Sequence, residues 1–282
     1  MSLARKQARI AWLLAGMILI AGIVTAQQEP RLIPAWDASD ETSAARIDHS
    51  AWQETLNGYL LGHSSGINRF DYAALKANPE DSAKLVDYLA SLQGLDPREY
   101  SRAEQKAYWI NLYNALTVRV VLDAYPVSSI RRISDSLLGG LIFSGPWKDV
   151  CANVAGLDLT LDDIEHGILR PIYRDSRIHY GVNCASLGCP NLLGTAFTAA
   201  NTESLLDAGA RDYVNHTRGV DFVDEDFIVI SSVYSWFVED FGGSEAGVIE
   251  HLAQYAEKEL AQRLRDFEGA VDYEYDWDLN QP

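Results

Sequence analysis

The sequence predicts an α+β fold: one mostly helical domain with a small antiparallel sheet. Three observations predict it. Helical patterns outweigh strand patterns along the chain. The readable strands are neighbours or hairpin arms with no regular β-α alternation, which disfavours a doubly wound sheet. Beyond the N-terminal segment about 250 residues remain, enough for one large domain with its own core.

Residues 1–26 read as an export signal. Arg5, Lys6 and Arg9 form a positive start, an apolar run covers residues 10–24, and Val24-Thr25-Ala26 offers small residues for cleavage. The run is shorter than the ~20 residues of a spanning helix. The alternative is an uncleaved N-terminal anchor. Either way the body is expected outside the cytoplasm, periplasmic or extracellular, or held at the inner membrane by this segment alone. No cysteine follows Ala26, which argues against a lipoprotein anchor. Residues 27–47, rich in Gln, Glu, Pro, Asp and Ser, read as a linker, and residues 48–280 as the domain.

The clearest helix spans residues 101–124. Ser101-x-x-Glu104 is a capping box and Tyr125-Pro126 a stop. Ala107, Asn111, Asn114, Val118 and Val121 share one face at helical spacing. Two amides on an apolar stripe must be hydrogen-bonded or cost about 1–3 kcal/mol each. They pin neighbouring loops or orient a catalytic group.

A second helix starts near Thr160, with Asp162 and Asp163 in its first turn and its end expected at Arg170 before Pro171. Asp162 and His166 are four apart and can face each other. Residues 177–182 alternate as a strand, which would put His179, Gly181 and Asn183 on one face and Cys184 on the other. A helix is expected over residues 202–215, then a hairpin of residues 220–223 and 227–232 around the acidic turn Asp224-Glu225-Asp226. A short helix over 232–241 stops at Gly242-Gly243, a last helix covers 244–265, and residues 271–275 can add an edge strand.

The formal net charge is −17, and the expected leader carries three cations and no acid, so the remainder is more acidic still. Such a surface repels phosphate backbones and anionic lipid, so no nucleic-acid partner is expected, and contact with the membrane is expected only through the N-terminal segment. There is no P-loop, Gly-x-Gly-x-x-Gly, Gly-x-Ser-x-Gly or His-Glu-x-x-His, and no cofactor is expected.

Two of the three cysteines stand in Arg177-Ile-His-Tyr-Gly-Val-Asn-Cys-Ala-Ser-Leu-Gly-Cys-Pro190. This stretch, Tyr108-Trp-Ile-Asn-Leu-Tyr-Asn-Ala-Leu-Thr117, Leu159-Thr-Leu-Asp-Asp-Ile-Glu-His-Gly-Ile-Leu-Arg170, Val233-Tyr-Ser-Trp-Phe-Val-Glu-Asp-Phe241 and Tyr275-Asp-Trp-Asp-Leu-Asn280 together resemble the domain of unknown function 547 family. The resemblance implies no settled activity. It points to Asn111, Asn114, His166, Arg170, His179, Asn183, Cys184, Cys189 and Pro190, and leaves Cys151 outside the pattern.

Three readings of this constellation stand. The first is a cysteine-dependent hydrolase or acyl transferase on peptide-like or amide substrates. Cys184 is its nucleophile, His179 or His166 its base, and Asn111, Asn114 or Asn183 the orienting group. Helices with a small antiparallel sheet are compatible with papain-like enzymes, by analogy only. The second is a non-catalytic cell-envelope binding or scaffold module stapled by a Cys184–Cys189 disulfide. The third is metal binding by His179, Cys184 and Cys189 with His166, although zinc sites use closer cysteine spacings. A free, acidic thiol at Cys184 separates the first reading from the second.

Overall fold

The computed structural model describes residues 29–133 and 145–282; the expected export signal lies outside them. Among the described residues no helix is long and apolar enough to cross a membrane.

The order begins with a 3₁₀ turn, Pro34–Trp36, and helix α1, Ser50–Tyr59. Strands β1, Leu60–Leu61, and β2, Arg69–Phe70, pair antiparallel. Helices α2, Tyr72–Ala77, and α3, Pro79–Gln93, follow. Asn78 caps α3 by accepting from the Asp81 N–H, with Pro79 at the first position.

Helix α4, Arg102–Ala124, starts where its cap predicts. The Ser101 hydroxyl accepts from the Glu104 N–H. Glu104 does not reciprocate across the cap. Its carboxylate takes the Ile47 N–H at 2.8 Å and the Arg46 guanidinium at 3.4 Å. Every residue from 104 to 118 is buried, so α4 is a central helix covered on all sides rather than a surface helix with one apolar stripe.

The second half begins with the hairpin of β3, Ala152–Val154, and β4, Leu157–Leu159. A π-helical segment, Asp163–Leu169, runs directly into α5, Arg170–Tyr173. The helix therefore does not end before Pro171. It continues to Tyr173 and stops at Arg174, whose φ is +48°. The reason is local. The Arg170 N–H bonds to the Glu165 carbonyl, five residues back, and Pro171 has no N–H. The carbonyls of His166 and Gly167 are thus free, and they accept the N–H groups of Arg31 and Ile33, both at 2.9 Å. A Cβ on Gly167 would sit 2.6 Å from Ile33 Cδ1, so any larger residue would force the Ile33 side chain to move. The stretch expected as a linker is therefore docked, with Trp36 and Ile47 buried in the core and Trp36 edge-on to Trp109.

Residues 177–182 are not a strand. Helix α6, Ile178–Gly181, occupies them. Four consecutive buried residues leave no half-exposed face to alternate, and so short an apolar run carries no usable period. The Asp175 carboxylate starts the turn by accepting the Arg177 N–H, and Arg177 and Lys106 tie that carboxylate to Glu203 of α7, Thr202–Val214.

The hairpin arms are β5, Val220–Phe222, and β6, Phe227–Ser231. Helix α8, Val233–Trp236, and a 3₁₀ turn, Val238–Phe241, end at Gly242 with φ +104°. The expected last helix is two, α9, Glu245–Tyr255, and α10, Lys258–Arg265, separated by extended Ala256 and Glu257. Strand β7, Ala270–Glu274, is the edge strand expected, but it lies parallel to β6 in the order β5-β6-β7. The class is α+β as read, with its sheets small.

Two hydrophobic clusters result. One surrounds α4; the other packs α7, α9 and α10 on β5 and β6. Ile178 of α6 belongs to the first and Tyr180 to the second, so α6 sits at their seam.

His49 reports on the first cluster. Its Nδ1 lies 2.7 Å from the Tyr88 hydroxyl, and its buried Nε2 has no partner among the described residues. Burial holds it down to about 4, as burial does for His166 and His251. A histidine depressed in the fold is neutral there, and as pH falls the unfolded chain takes the proton first. The stability is full above about pH 6.5 and is lost as pH falls toward 4. At pH 5 the His49 share is on the order of 2 kcal/mol. Urea melts at pH 7 and pH 5 should show a drop that shrinks by about that amount in His49→Gln. An equal drop in both proteins would refute this assignment.

Candidate functional site

The amides of α4 hold backbone. Asn111 donates to the Phe197 carbonyl at 2.7 Å and accepts the Phe197 N–H at 3.0 Å. One turn on, Asn114 donates to the Gly181 carbonyl at 2.9 Å and accepts the Asn183 N–H at 2.8 Å. Asn114 thereby fixes the end of α6 and the first residue of the cysteine loop.

Asn183 then folds the loop on itself. Its amide donates to the Pro190 carbonyl at 2.7 Å and its oxygen accepts the Ala185 N–H at 2.9 Å. Ala185 is fully buried at φ +59°, a left-handed turn that costs a non-glycine residue energy. The turn brings the Cys184 N–H to 3.1 Å from Cys189 Sγ. The far side of the loop is stitched to residues 276–280. Leu187 and Gly188 donate to the Asp278 and Asp276 carbonyls at 2.8 Å, and the Asn280 N–H donates to Ala185. A Cβ on Gly188 would meet the Asp276 backbone at 2.7 Å, so this crossing needs glycine.

All three cysteines are free thiols. Cys184 is half-buried and Cys189 buried. Cys184 Sγ lies 2.9 Å from the Tyr275 hydroxyl and 3.3 Å from that of Ser186, and these hydroxyls are 2.8 Å apart. The Cys189 thiol, then Ser186 and Tyr275, hydrogen-bond Cys184 and bring it below the ordinary cysteine value against the penalty of burial. Burial and then the neighbouring Cys184 push Cys189 well up. Cys151 is pushed up to about 12 by burial.

The histidines form a second polar group. His179 Nε2 is 2.7 Å from Asp240 and its Nδ1 3.5 Å from Glu165. Phe237 stacks on its ring at 4.3 Å, and Asp240 also accepts from Arg170 Nε at 2.5 Å. Burial alone would lower His179, but Asp240 and Glu165 raise it. Burial alone would raise both carboxylates, but His166, His179 and Tyr113 bring Glu165 down to about 2, and His179 and Arg170 do the same for Asp240. His166 faces Asp162 at 3.8 Å, as its spacing predicts, and Nδ1 lies 3.1 Å from Arg170. The π-helical turn places Glu165, His166 and Arg170 in this group together. Tyr113, hydrogen-bonded to Glu165 and within electrostatic reach of Cys184 and Cys189, stands between the two groups.

The structure thus gathers Cys184, Asn183 and Asn114 in one place, His166 and His179 in another, and uses Asn111 to pin Phe197. Cys184 meets hydroxyls and a second thiol, and both nitrogens of His179 face carboxylates. Among the described residues no cluster of His, Cys, Asp and Glu is arranged to hold a metal ion. Sequence reasoning missed Glu165, Ser186, Asp240 and Tyr275 as participants, although Tyr275 opens the Tyr275–Asn280 motif and Asp240 lies in the Val233–Phe241 one.

Residues 97–214 match the family model described as "Protein of unknown function, DUF547". No curated protein matches the chain, and no solved structure does. The matched span holds α4, the π-helical turn, α6 and the whole cysteine loop, while Asp240 and Tyr275 reach in from beyond it. Residues 97–214, which supply α4, α6 and the cysteine loop, match a DUF547 domain.

Proposed function

We propose that this is an exported thiol enzyme with Cys184 as its reactive atom and Cys189 as its resolving thiol, exchanging disulfides with small or peptide-like substrates. The observation that carries the reading is geometric: a half-buried Cys184 thiol 2.9 Å from the Tyr275 hydroxyl and 3.3 Å from that of Ser186, with the buried Cys189 sulfur folded back to 3.1 Å from the Cys184 N–H. Unequal thiols in contact suit attack followed by resolution. Histidine-assisted acyl hydrolysis is less well supported, because a base for Cys184 must come from His166 or His179, and their ring nitrogens face Arg170, Asp162, Glu165 and Asp240.

In the first step the Cys184 thiolate attacks one sulfur of a substrate disulfide. The substrate S–S bond breaks, a mixed disulfide with Cys184 forms, and the released thiolate takes the proton that leaves Cys189. In the second step the Cys189 thiolate attacks Cys184 Sγ, breaks the mixed bond and releases the other substrate sulfur as a thiolate, which takes a proton from solvent. Two electrons pass from the protein dithiol to the substrate, and a small-thiol or dithiol reductant restores the pair. The Cys184–Cys189 disulfide is then the oxidised state of the site and not a permanent staple.

Alkylation with mass mapping across pH 5–9 tests this. Cys184 is expected to label at a midpoint below an ordinary cysteine, with Cys189 and Cys151 slow. Cys189→Ser should trap a mixed disulfide with an aromatic disulfide probe, whereas the unaltered protein should release it. A Cys184 that labels no faster than Cys151 would sink the proposal.

A further inference from the structure

Arg218 follows α7 and is unusual. Its side chain is 8% exposed, and Nε, Nη1 and Nη2 are all buried with no hydrogen-bond partner among the described residues. Its one ion-pair contact among the described residues is Asp212 at 3.8 Å, a half-exposed carboxylate that already accepts from Asn191 at 2.8 Å. A buried guanidinium without close partners is costly, and replacing one with an apolar residue often stabilises. Such a group calls for a reason.

Its surroundings supply one. Arg218 lies over the Tyr213 ring, 5.2 Å from guanidinium carbon to ring centre. The Tyr213 hydroxyl donates to the Gly188 carbonyl at 2.6 Å and contacts Ser231 Oγ at 2.7 Å, so the ring bearing the guanidinium also grips the cysteine loop. Cys189, Tyr275 and Asp212 are within electrostatic reach of Arg218. Among the described residues, the groups within reach of the cysteine pair include Tyr72, Tyr113, Tyr213 and Tyr275, all neutral, Ser186 and anionic Glu165, while Arg218 is a cation within reach of Cys189. Glu165 opposes a thiolate, and Arg218 has the sign that favours one.

We propose that Arg218 is the counter-charge of the cysteine pair: its guanidinium, seated on Tyr213 and left without hydrogen bonds, balances the negative charge the pair acquires as it forms a thiolate. No ligand needs to reach the buried nitrogens, since the interaction acts through a poorly polarisable interior. Arg218 is a positioning residue in this sense, touching no substrate. The inference rests on the thiol reading above.

The test is the pH profile of Cys184 alkylation in the full protein and in Arg218→Met, Arg218→Gln and Arg218→Lys, each with a urea melt. The neutral variants should move the midpoint up by about one pH unit, a roughly tenfold slower reaction at fixed pH below it. Arg218→Lys should recover most of the shift, and Arg218→Met should be no less stable than the parent. Arg218→Gln keeps the test open if Arg218→Met fails to fold. A parent midpoint below the ordinary value with neutral variants at the same midpoint overturns the role of Arg218 alone. A parent with no lowered midpoint overturns the thiol reading, and this inference with it.

Discussion

Asp240→Ala should destabilise the protein by about 3–5 kcal/mol, the usual cost of removing one partner of a buried ion pair. Glu165 and Asp240 carry two negative charges, and Arg170 and the raised His179 carry two positive ones, so these four side chains balance one another. Asp240 alone serves Arg170 Nε at 2.5 Å and His179 Nε2 at 2.7 Å. Without it, two cations share a site in which both side chains are almost wholly buried. The His179 ring should then lose its proton more readily, visible as a lower titration midpoint by NMR. Asp240→Asn keeps an acceptor and loses the charge, so it should fall between. The pH dependence has a definite sign. His179, raised in the fold, contributes fully below about pH 6.5 and loses its contribution as pH rises through its folded value. The carboxylates contribute above about pH 4.5 and lose theirs as pH falls toward 2. A urea melt of Asp240→Ala within 1 kcal/mol of the parent would refute the network.

Asn114→Leu is the second large effect, about 2–5 kcal/mol. The substitution leaves the Gly181 carbonyl and the Asn183 N–H buried without partners, each at about 1–3 kcal/mol. The local consequence separates this from a general packing defect. The Asn183 amide should exchange with solvent faster, and Cys184 should lose its lowered alkylation midpoint, because the loop that brings Cys189 and Tyr275 to it is no longer anchored on α4. Asn111→Leu should cost a similar amount, since Phe197 loses the same two bonds, yet leave the Cys184 profile unchanged. Equal effects of the two substitutions on the thiol would remove the case for Asn114 as the loop anchor.

Local codes were the legible ones. The Ser101 cap and Tyr125-Pro126 bound α4, and the acidic turn at 224–226 marks the β5–β6 hairpin, because each signal acts within a few residues. The helix at 178–181 was not legible: four buried residues carry no period, and the turn is held by Asp175, Asn114 and the α7 charges. The run through Pro171 was hidden for a related reason. Its missing hydrogen bonds are made good by Arg31 and Ile33, over 130 positions away, and nothing near Pro171 announces them. The candidate site was legible in membership and not in wiring. Cys184, Cys189, Asn114 and Asn183 were all named, whereas the separation of His166 and His179 from the thiol depends on Glu165 and Asp240, which come from different elements. Tyr275 lies 91 positions beyond Cys184.

That distance sets a clock. Translation at about 5–20 residues per second needs roughly 5–20 s to cover the 91 positions between Cys184 and Tyr275. The pairing of residues 184–189 with 275–280 is also a long-range closure, which forms late in folding. Until those residues arrive, the cysteine loop lacks the Tyr275 hydroxyl and the backbone bonds to Asp276, Asp278 and Asn280 that hold it. The loop therefore takes its final shape only after the last residues of the chain have been made, and its assembly is a matter of timing as much as of geometry.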